Sequence, residues 1–193
     1  MTMTAKIQKV TNLQVSTELK LSFDNSTGTF TWADMNKCLS TDPLKVKQTL
    51  LNTGFRDGEY GDWIKISGED SIVVEFGAFD NLYMYIYTKN DNKYIPMFKQ
   101  NLVNMDKYTS ELSQNKTFEG YIAKEWSNQL DEYNSYSTFI NTVNSLNINN
   151  WRQFVEGIFK ADKKTFECHI SYNEYYNSWI YRVKLEKDWD DWK

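Results

Sequence analysis

Between residues 62 and 99 the chain consists of short alternating runs separated by tight turns, and that spacing leaves few folds open. The runs are 62–67, 71–79, 82–89 and 93–99, divided by Ser67-Gly-Glu-Asp70, Asp80-Asn81 and Asn90-Asp-Asn92. Connections this short join antiparallel neighbours, because a parallel crossover needs a dozen or more residues. The spacing therefore predicts a β-meander. In its second run Ile72, Val74, Phe76 and Ala78 share a face, and in the third Leu82, Met84 and Ile86 do. Tyr83, Tyr85 and Tyr87 fall on the opposite face of that third run. A tyrosine face of this kind is expected to lie under helices, with each hydroxyl reaching a rim or water. An exposed aromatic surface for single-stranded RNA or sugars is the alternative. RNA would also want basic neighbours, and only Lys89 and Lys93 are near.

The flanks are read from the same periodicities. Residues 5–10 and 13–23 are expected strands, Asp24-Asn25-Ser26-Thr27-Gly28 a turn, and Thr29–Thr31 the start of a return strand. Thr31-Trp-Ala-Asp34 has the form of a capping box and opens a helix to about Leu39. Asp42 as N-cap with Pro43 at N1 opens another, striped by Leu44, Val46, Leu50 and Leu51 and stopped by Gly54. Helices are expected near 103–113, 117–132, 135–146 and 149–161. The second of these windows has the stripe Phe118, Tyr121, Ile122, Glu125, Trp126, Leu130, interrupted only by Glu125, and the last has Trp151, Phe154, Val155, Ile158, Phe159. Alternating Phe166, Cys168, Ile170, Tyr172 and then Trp179, Tyr181, Val183, Leu185 predict a C-terminal hairpin. The expected fold class is α+β: an antiparallel β-meander with N-terminal and C-terminal hairpins and a helical segment at about 102–161. One domain over 1–193 is expected, with a possible subdivision into a mainly β part, 1–101, and helices plus hairpin, 102–193.

Composition excludes several classes. Seven Trp, 13 Tyr and 11 Phe are incompatible with a disordered chain, and 8 Gly with 2 Pro exclude a collagen-like or linker-like one. No apolar run reaches the length of a membrane span, and Met1–Lys6 begins no apolar leader, so a cytoplasmic bacterial protein with no membrane contact is expected. Cys38 and Cys168 are too few for a disulfide framework and fit reduced thiols. The 19 Lys against 3 Arg and the 19 Asn point to AT-rich codons, hence a low-GC bacterium or its phage. The formal charge of −4 opposes direct nucleic-acid binding, which rests on clustered Lys and Arg.

Motifs for chemistry are sparse. No phosphate loop or nucleophile elbow occurs, and one His with two distant Cys does not match a zinc site. His169 projects with Glu167 and Ser171 and away from Cys168, so a Cys–His dyad is geometrically poor and a structural histidine is expected. No catalytic residue, metal or cofactor is therefore expected. Two segments stand out as partner surfaces. One is the acidic stretch 52–80, with Asp57, Glu59, Asp62, Glu69 and Asp70 as candidate contacts. The other is the tail, where Trp189 and Trp192 lie among Asp190 and Asp191, and tryptophan is enriched at interface hot spots. Together they suggest a non-enzymatic protein–protein inhibitor for a partner with a basic surface, either of phage anti-defence (anti-CRISPR) type or a toxin immunity protein. A carboxylate-based hydrolase or nuclease, and a structural or assembly protein, are the competing classes. The oligomeric state is not legible.

Overall fold

The computed structural model describes residues 19–21, 23–24, 29–77, 81–89, 91–123, 130–146, 154–173, 175 and 177–187. Two short strands, β1 (Phe23–Asp24) and β2 (Thr29–Phe30), form a small hairpin. Helices α1 (Trp32–Leu39) and α2 (Pro43–Asn52) follow, then strands β3 (Arg56–Asp57), β4 (Trp63–Ser67), β5 (Asp70–Gly77) and β6 (Asn81–Thr88). A long helix, α3 (Asp91–Leu112), leads to β7 (Thr117–Ala123), β8 (Leu130–Tyr133) and α4 (Tyr136–Ser145). Three strands close the chain: β9 (Phe154–Ala161), β10 (Lys164–Asn173) and β11 (Ser178–Lys187). β3 to β11 make one nine-stranded antiparallel sheet in the order β3-β4-β5-β6-β11-β10-β9-β7-β8. The fold class is α+β, as the sequence leads one to expect. The expected strand at 5–10 lies outside the described residues, as does most of 13–23, of which residues 19–21 are irregular.

The caps form as written. Thr31 Oγ1 accepts from the Asp34 amide at 3.2 Å and donates to Asp34 Oδ2 at 2.6 Å. Asp42 accepts from the Leu44 amide at 2.8 Å, with Pro43 at the first helical position. Of the expected α2 stripe, Val46 and Leu50 are buried, while Leu44 and Leu51 face solvent.

Three windows depart from expectation. Residues 93–99 are helix, not strand, and merge with 103–113 into α3. The burial of Tyr94, Phe98, Leu102, Met105 and Thr109 repeats every three to four residues, and that longer period overrides the strand-like composition of the window. Pro96 is itself a mark against a ladder strand. The expected helix at 117–132 is instead β7 and β8, and the part of 149–161 that is described is β9. Both errors have one cause. In β7 the buried positions are Phe118, Gly120 and Ile122; in β9 they are Val155, Gly157, Phe159 and Ala161. Glycine removes the apolar side chain that would have shown the period of two, and the remaining residues fall at helical spacing.

Gly120 and Gly157 pair directly across β7 and β9. A Cβ on Gly120 would lie 2.5 Å from Phe139 Cδ2, and one on Gly157 would lie 2.7 Å from Leu102 Cδ2. The two glycines thus form a shallow floor on which α4 and α3 seat their side chains. Trp32 of α1 meets Phe166 of β10 edge-on at 5.8 Å. Phe98 of α3 meets Tyr181 of β11 at 6.4 Å. Lys47 of α2 lies over the Trp63 ring of β4 at 5.0 Å. Phe166, Tyr181, Trp63, Gly120 and Gly157 belong to one face of the sheet, so all four helices pack on that face.

Candidate functional site

The other face carries the polar and ionisable side chains, and register determines which of them meet. Tyr85, Arg182, His169, Glu156 and Tyr121 stand directly opposite one another on β6, β11, β10, β9 and β7. The adjacent row is Glu75, Tyr83, Lys184, Glu167, Ile158 and Glu119, on β5, β6, β11, β10, β9 and β7. Side chains two apart on a strand share a face, so these rows form one surface. Among the described residues no helix covers it. The helices expected over the tyrosine ladder lie, among the described residues, on the other face. The apolar alternates Leu82, Met84 and Ile86 are buried and claim the helical side, which sends the tyrosines to the other.

Tyr83 and Tyr85 stack at 6.0 Å with planes 10° apart, and Tyr85 and Tyr87 at 6.2 Å and 19°. Lys184 lies over the Tyr83 ring at 5.6 Å. Burial pushes the Tyr85 hydroxyl up to about 12, with the nearby Glu75 charge adding to the effect.

At the centre of the face sits an ion cluster. Arg182 bonds Glu156 at 3.1 Å and makes a close contact with Glu167 through the same nitrogen, Nη2. Lys184 lies 3.9 Å from Glu167 and 2.5 Å from Glu186. His169 Nε2 is 2.8 Å from Ser171 Oγ, and its Nδ1 is 3.5 Å from Glu156 Oε1. The Phe154 ring stands perpendicular to the imidazole at 4.6 Å. Burial raises Glu156, but the contact with His169 and the charges of His169 and Arg182 outweigh it and hold the carboxyl below its ordinary value. Burial pushes Glu167 up, assisted by Glu156, against the pull of Arg182 and Lys184. Burial also lowers His169, with Arg182 adding to the effect and Glu156 opposing it, so the ring is neutral near pH 7.

Cys168 points into the core, away from His169, as strand geometry requires. Both cysteines are free and buried, and burial pushes the Cys38 thiol up to about 12. Among the described residues no group of three or more His, Cys, Asp and Glu is arranged to hold a metal ion. No described helix is long and apolar enough to cross a membrane.

The acidic residues singled out in 52–80 are not brought together. Asp57, Glu59 and Asp62 lie in and around the β3–β4 connection, and Glu69 and Asp70 at the β4–β5 turn. The five residues of β4 between them span about 17 Å. Asp57 pairs with Lys47 at 3.5 Å, and Asp62 Oδ1 accepts from the Tyr60 amide at 3.4 Å within its own loop. Asp70 is buried and hydrogen-bonded to the Tyr94 hydroxyl. Only Glu59 and Glu69 stand out in solvent without a described partner. Asp70→Ala is therefore expected to lower stability by about 1–3 kcal/mol, the cost of stranding a buried partner. Denaturant unfolding reads this, and an unchanged midpoint would show Asp70 to be a surface group after all. Trp189, Asp190, Asp191 and Trp192 lie outside the described residues.

The sequence pointed to His169, Glu167, Ser171 and the tyrosines as face-sharing groups, but not to Glu156 or Arg182 as their partners. Glu156 was hidden by the helical reading of 149–161. Comparison with protein-family models, with curated proteins and with solved structures finds no match for the chain.

Proposed function

We propose that this chain is a stoichiometric inhibitor that lays its tyrosine–carboxylate face over a basic, nucleic-acid-binding surface of a protein partner. The settings that suit it are a phage protein blocking a host defence nuclease, anti-CRISPR action included, and an immunity protein capping a toxin. Both place it in bacterial cytoplasm. The observation that carries the reading is the position of Tyr83, Tyr85 and Tyr87 beside Glu75, on the sheet face that no described helix covers. Tyrosine supplies contact area at low entropic cost, and it is enriched at protein interfaces.

Charge selects the partner. By strand alternation this face presents Glu75, Glu119, Glu132, Glu156, Glu167 and Glu186 against Arg56, Lys160, Arg182 and Lys184. A carboxylate majority favours a basic partner over a phosphate backbone. Ring geometry argues the same way. The tyrosines turn their faces to each other, so the positions a stacked base or sugar would take are occupied by the neighbouring ring.

The test is displacement of labelled nucleic acid from a panel of basic partners, both guide-RNA nucleases and toxin nucleases, read by fluorescence anisotropy. The wild type is expected to displace it from its cognate partner. Changing Tyr83, Tyr85 and Tyr87 to Thr and Glu75 to Gln should weaken displacement at least tenfold, about 1.4 kcal/mol. Association should slow as salt shortens the Debye length from about 10 Å at 0.1 M to about 3 Å at 1 M. Displacement that ignores both the four substitutions and the salt would overturn the reading.

A further inference from the structure

The same face holds a second arrangement, apart from the tyrosine ladder that carries the inhibitor reading. His169 and Ser171 are alternate residues of β10, and Glu156 stands opposite His169 on β9. Ser171 Oγ, His169 Nε2, His169 Nδ1 and Glu156 Oε1 therefore follow one another, with separations of 2.8 Å at the first contact and 3.5 Å at the second. That is the order of nucleophile, base and orienting carboxylate in acyl-transfer sites, which are recognised by geometry and roles rather than by sequence position. We propose that Ser171, His169 and Glu156 form an acyl-accepting site for activated esters, Ser171 being the nucleophile, His169 the base and Glu156 a positioning residue.

The surroundings fit these roles. With Nδ1–H turned to Glu156, Nε2 is free to accept the Ser171 proton, which is the tautomer the reaction needs. The contact at 3.5 Å is longer than a formed hydrogen bond, and His169 Nδ1 is a buried donor with no closer described acceptor. It shortens when the imidazole becomes cationic, so Glu156 stabilises the protonated ring more than the neutral one. Such contacts tighten as the reaction proceeds. Phe154 packs edge-on against the ring. The charged groups facing the site are Glu156 from β9, Glu167 from its own strand, and Arg182 and Lys184 from β11; Arg182 keeps Glu156 ionised. His169 is 8% exposed and Ser171 is half-buried, so the nucleophile is nearer to solvent than its base.

The step balances as follows. Ser171 Oγ attacks the acyl carbon while its proton passes to His169 Nε2. The bond from acyl carbon to the leaving oxygen breaks, and that oxygen takes the proton from Nε2. The products are acyl-Ser171 and a free alcohol or phenol. Water attacking the same carbon, with the proton again relayed through His169, returns the serine and releases the acid.

p-Nitrophenyl acetate is the probe. A burst of p-nitrophenol near one equivalent is expected, with one acetyl group on the peptide that contains Ser171, found by mass spectrometry. Ser171→Ala should abolish both. His169→Gln should slow the burst about a hundredfold, within the range for a general base. The rate should rise with pH and reach a plateau, because it follows deprotonation of His169. The midpoint lies below the ordinary histidine value of 6.5. Glu156→Gln should move that midpoint further down, since Glu156 favours the protonated ring. A merely structural glutamate would leave it in place. If Glu156→Gln does not fold, phosphonylation by a fluorophosphonate, with loss of fluoride, compares the wild type with Ser171→Ala instead. Acetyl groups found only on lysines or tyrosines, or a rate that rises with hydroxide without a plateau, would overturn the proposal. Acylation is read on Ser171, and displacement of nucleic acid on the tyrosine and Glu75 variants, so failure of this proposal is distinguishable from failure of the inhibitor reading.

Discussion

Phe139→Ala is expected to cost about 3–5 kcal/mol, the usual scale for removing a buried phenylalanine. The side chain is fully buried, 5.2 Å from the Phe118 ring and 5.7 Å from Tyr133. It is also the contact through which α4 holds the glycine floor of β7 and β9, where a Cβ on Gly120 would lie 2.5 Å away. Urea unfolding measures the loss, and a change below about 1 kcal/mol would show that the floor collapses to fill the cavity. The reciprocal substitution separates the two partners. Gly120→Ala overpacks the site and should cost about 1–3 kcal/mol in the wild-type background. Combined with Phe139→Leu, the same substitution should cost clearly less than it does alone, because the nearer of the two rings that it strikes, Phe139 rather than Phe118, has gone. Additive losses would mean that the glycine and the ring do not share the space.

That floor also explains which parts of the fold could be read from residues. The meander strands β5 and β6 and the hairpin β10–β11 carry an apolar side chain at most inward positions, whereas β4, with Trp63, Lys65 and Ser67 inward, was marked by its turns. The alternation of β5, β6, β10 and β11 is therefore visible, and so are the turns between the strands. The caps of α1 and α2 were legible because Thr31, Asp34, Asp42 and Pro43 act locally. β7 and β9 were not, because the space above Gly120 and Gly157 is filled by residues of α3 and α4 that are distant in sequence. Tertiary packing decided those strands, and a periodicity window does not see it. The site was legible to the same degree. Alternation put His169 with Glu167 and Ser171, and correctly separated His169 from Cys168. Arg182 joins them across the β10–β11 hairpin, which was read as such, and Glu156 across the tight β9–β10 hairpin, which the helical reading of 149–161 concealed. The acidic stretch 52–80 shows the converse. Its charges are close in sequence, but β4 carries them to opposite ends, and Asp70 goes inside.

Arg182→Leu is expected to destabilise the protein by about 3 kcal/mol at neutral pH, the lower end of the range for stripping the partner from buried charges. The lower end applies because the arginine is 29% exposed, while Glu156 and Glu167 are 14% and 10% exposed. The guanidinium lowers both carboxyls, so without it Glu167, already raised, rises further above the unfolded value of about 4.3, and Glu156 moves up from its lowered one. An acid whose folded value is raised stabilises the fold fully below the unfolded value and loses that stabilisation as pH rises through the folded one. The deficit of Arg182→Leu should therefore be largest near pH 7 and shrink as the pH falls toward about 4. His169, freed of the guanidinium that lowers it, takes up a proton over the same interval and compensates Glu156 further. In the wild type the two carboxyls act in opposite senses. Glu156, held low, contributes stability above its unfolded value and loses it on acidification; Glu167, held high, does the reverse. Adding Glu156→Gln and Glu167→Gln to Arg182→Leu should recover most of the loss at pH 7, because no buried charge is then left alone. Guanidinium unfolding of the single and triple variants at pH 4 and pH 7 decides the matter. An equal deficit at both pH values, unrelieved by the two glutamines, would show that the arginine acts through the packing of its stem and not through its charge.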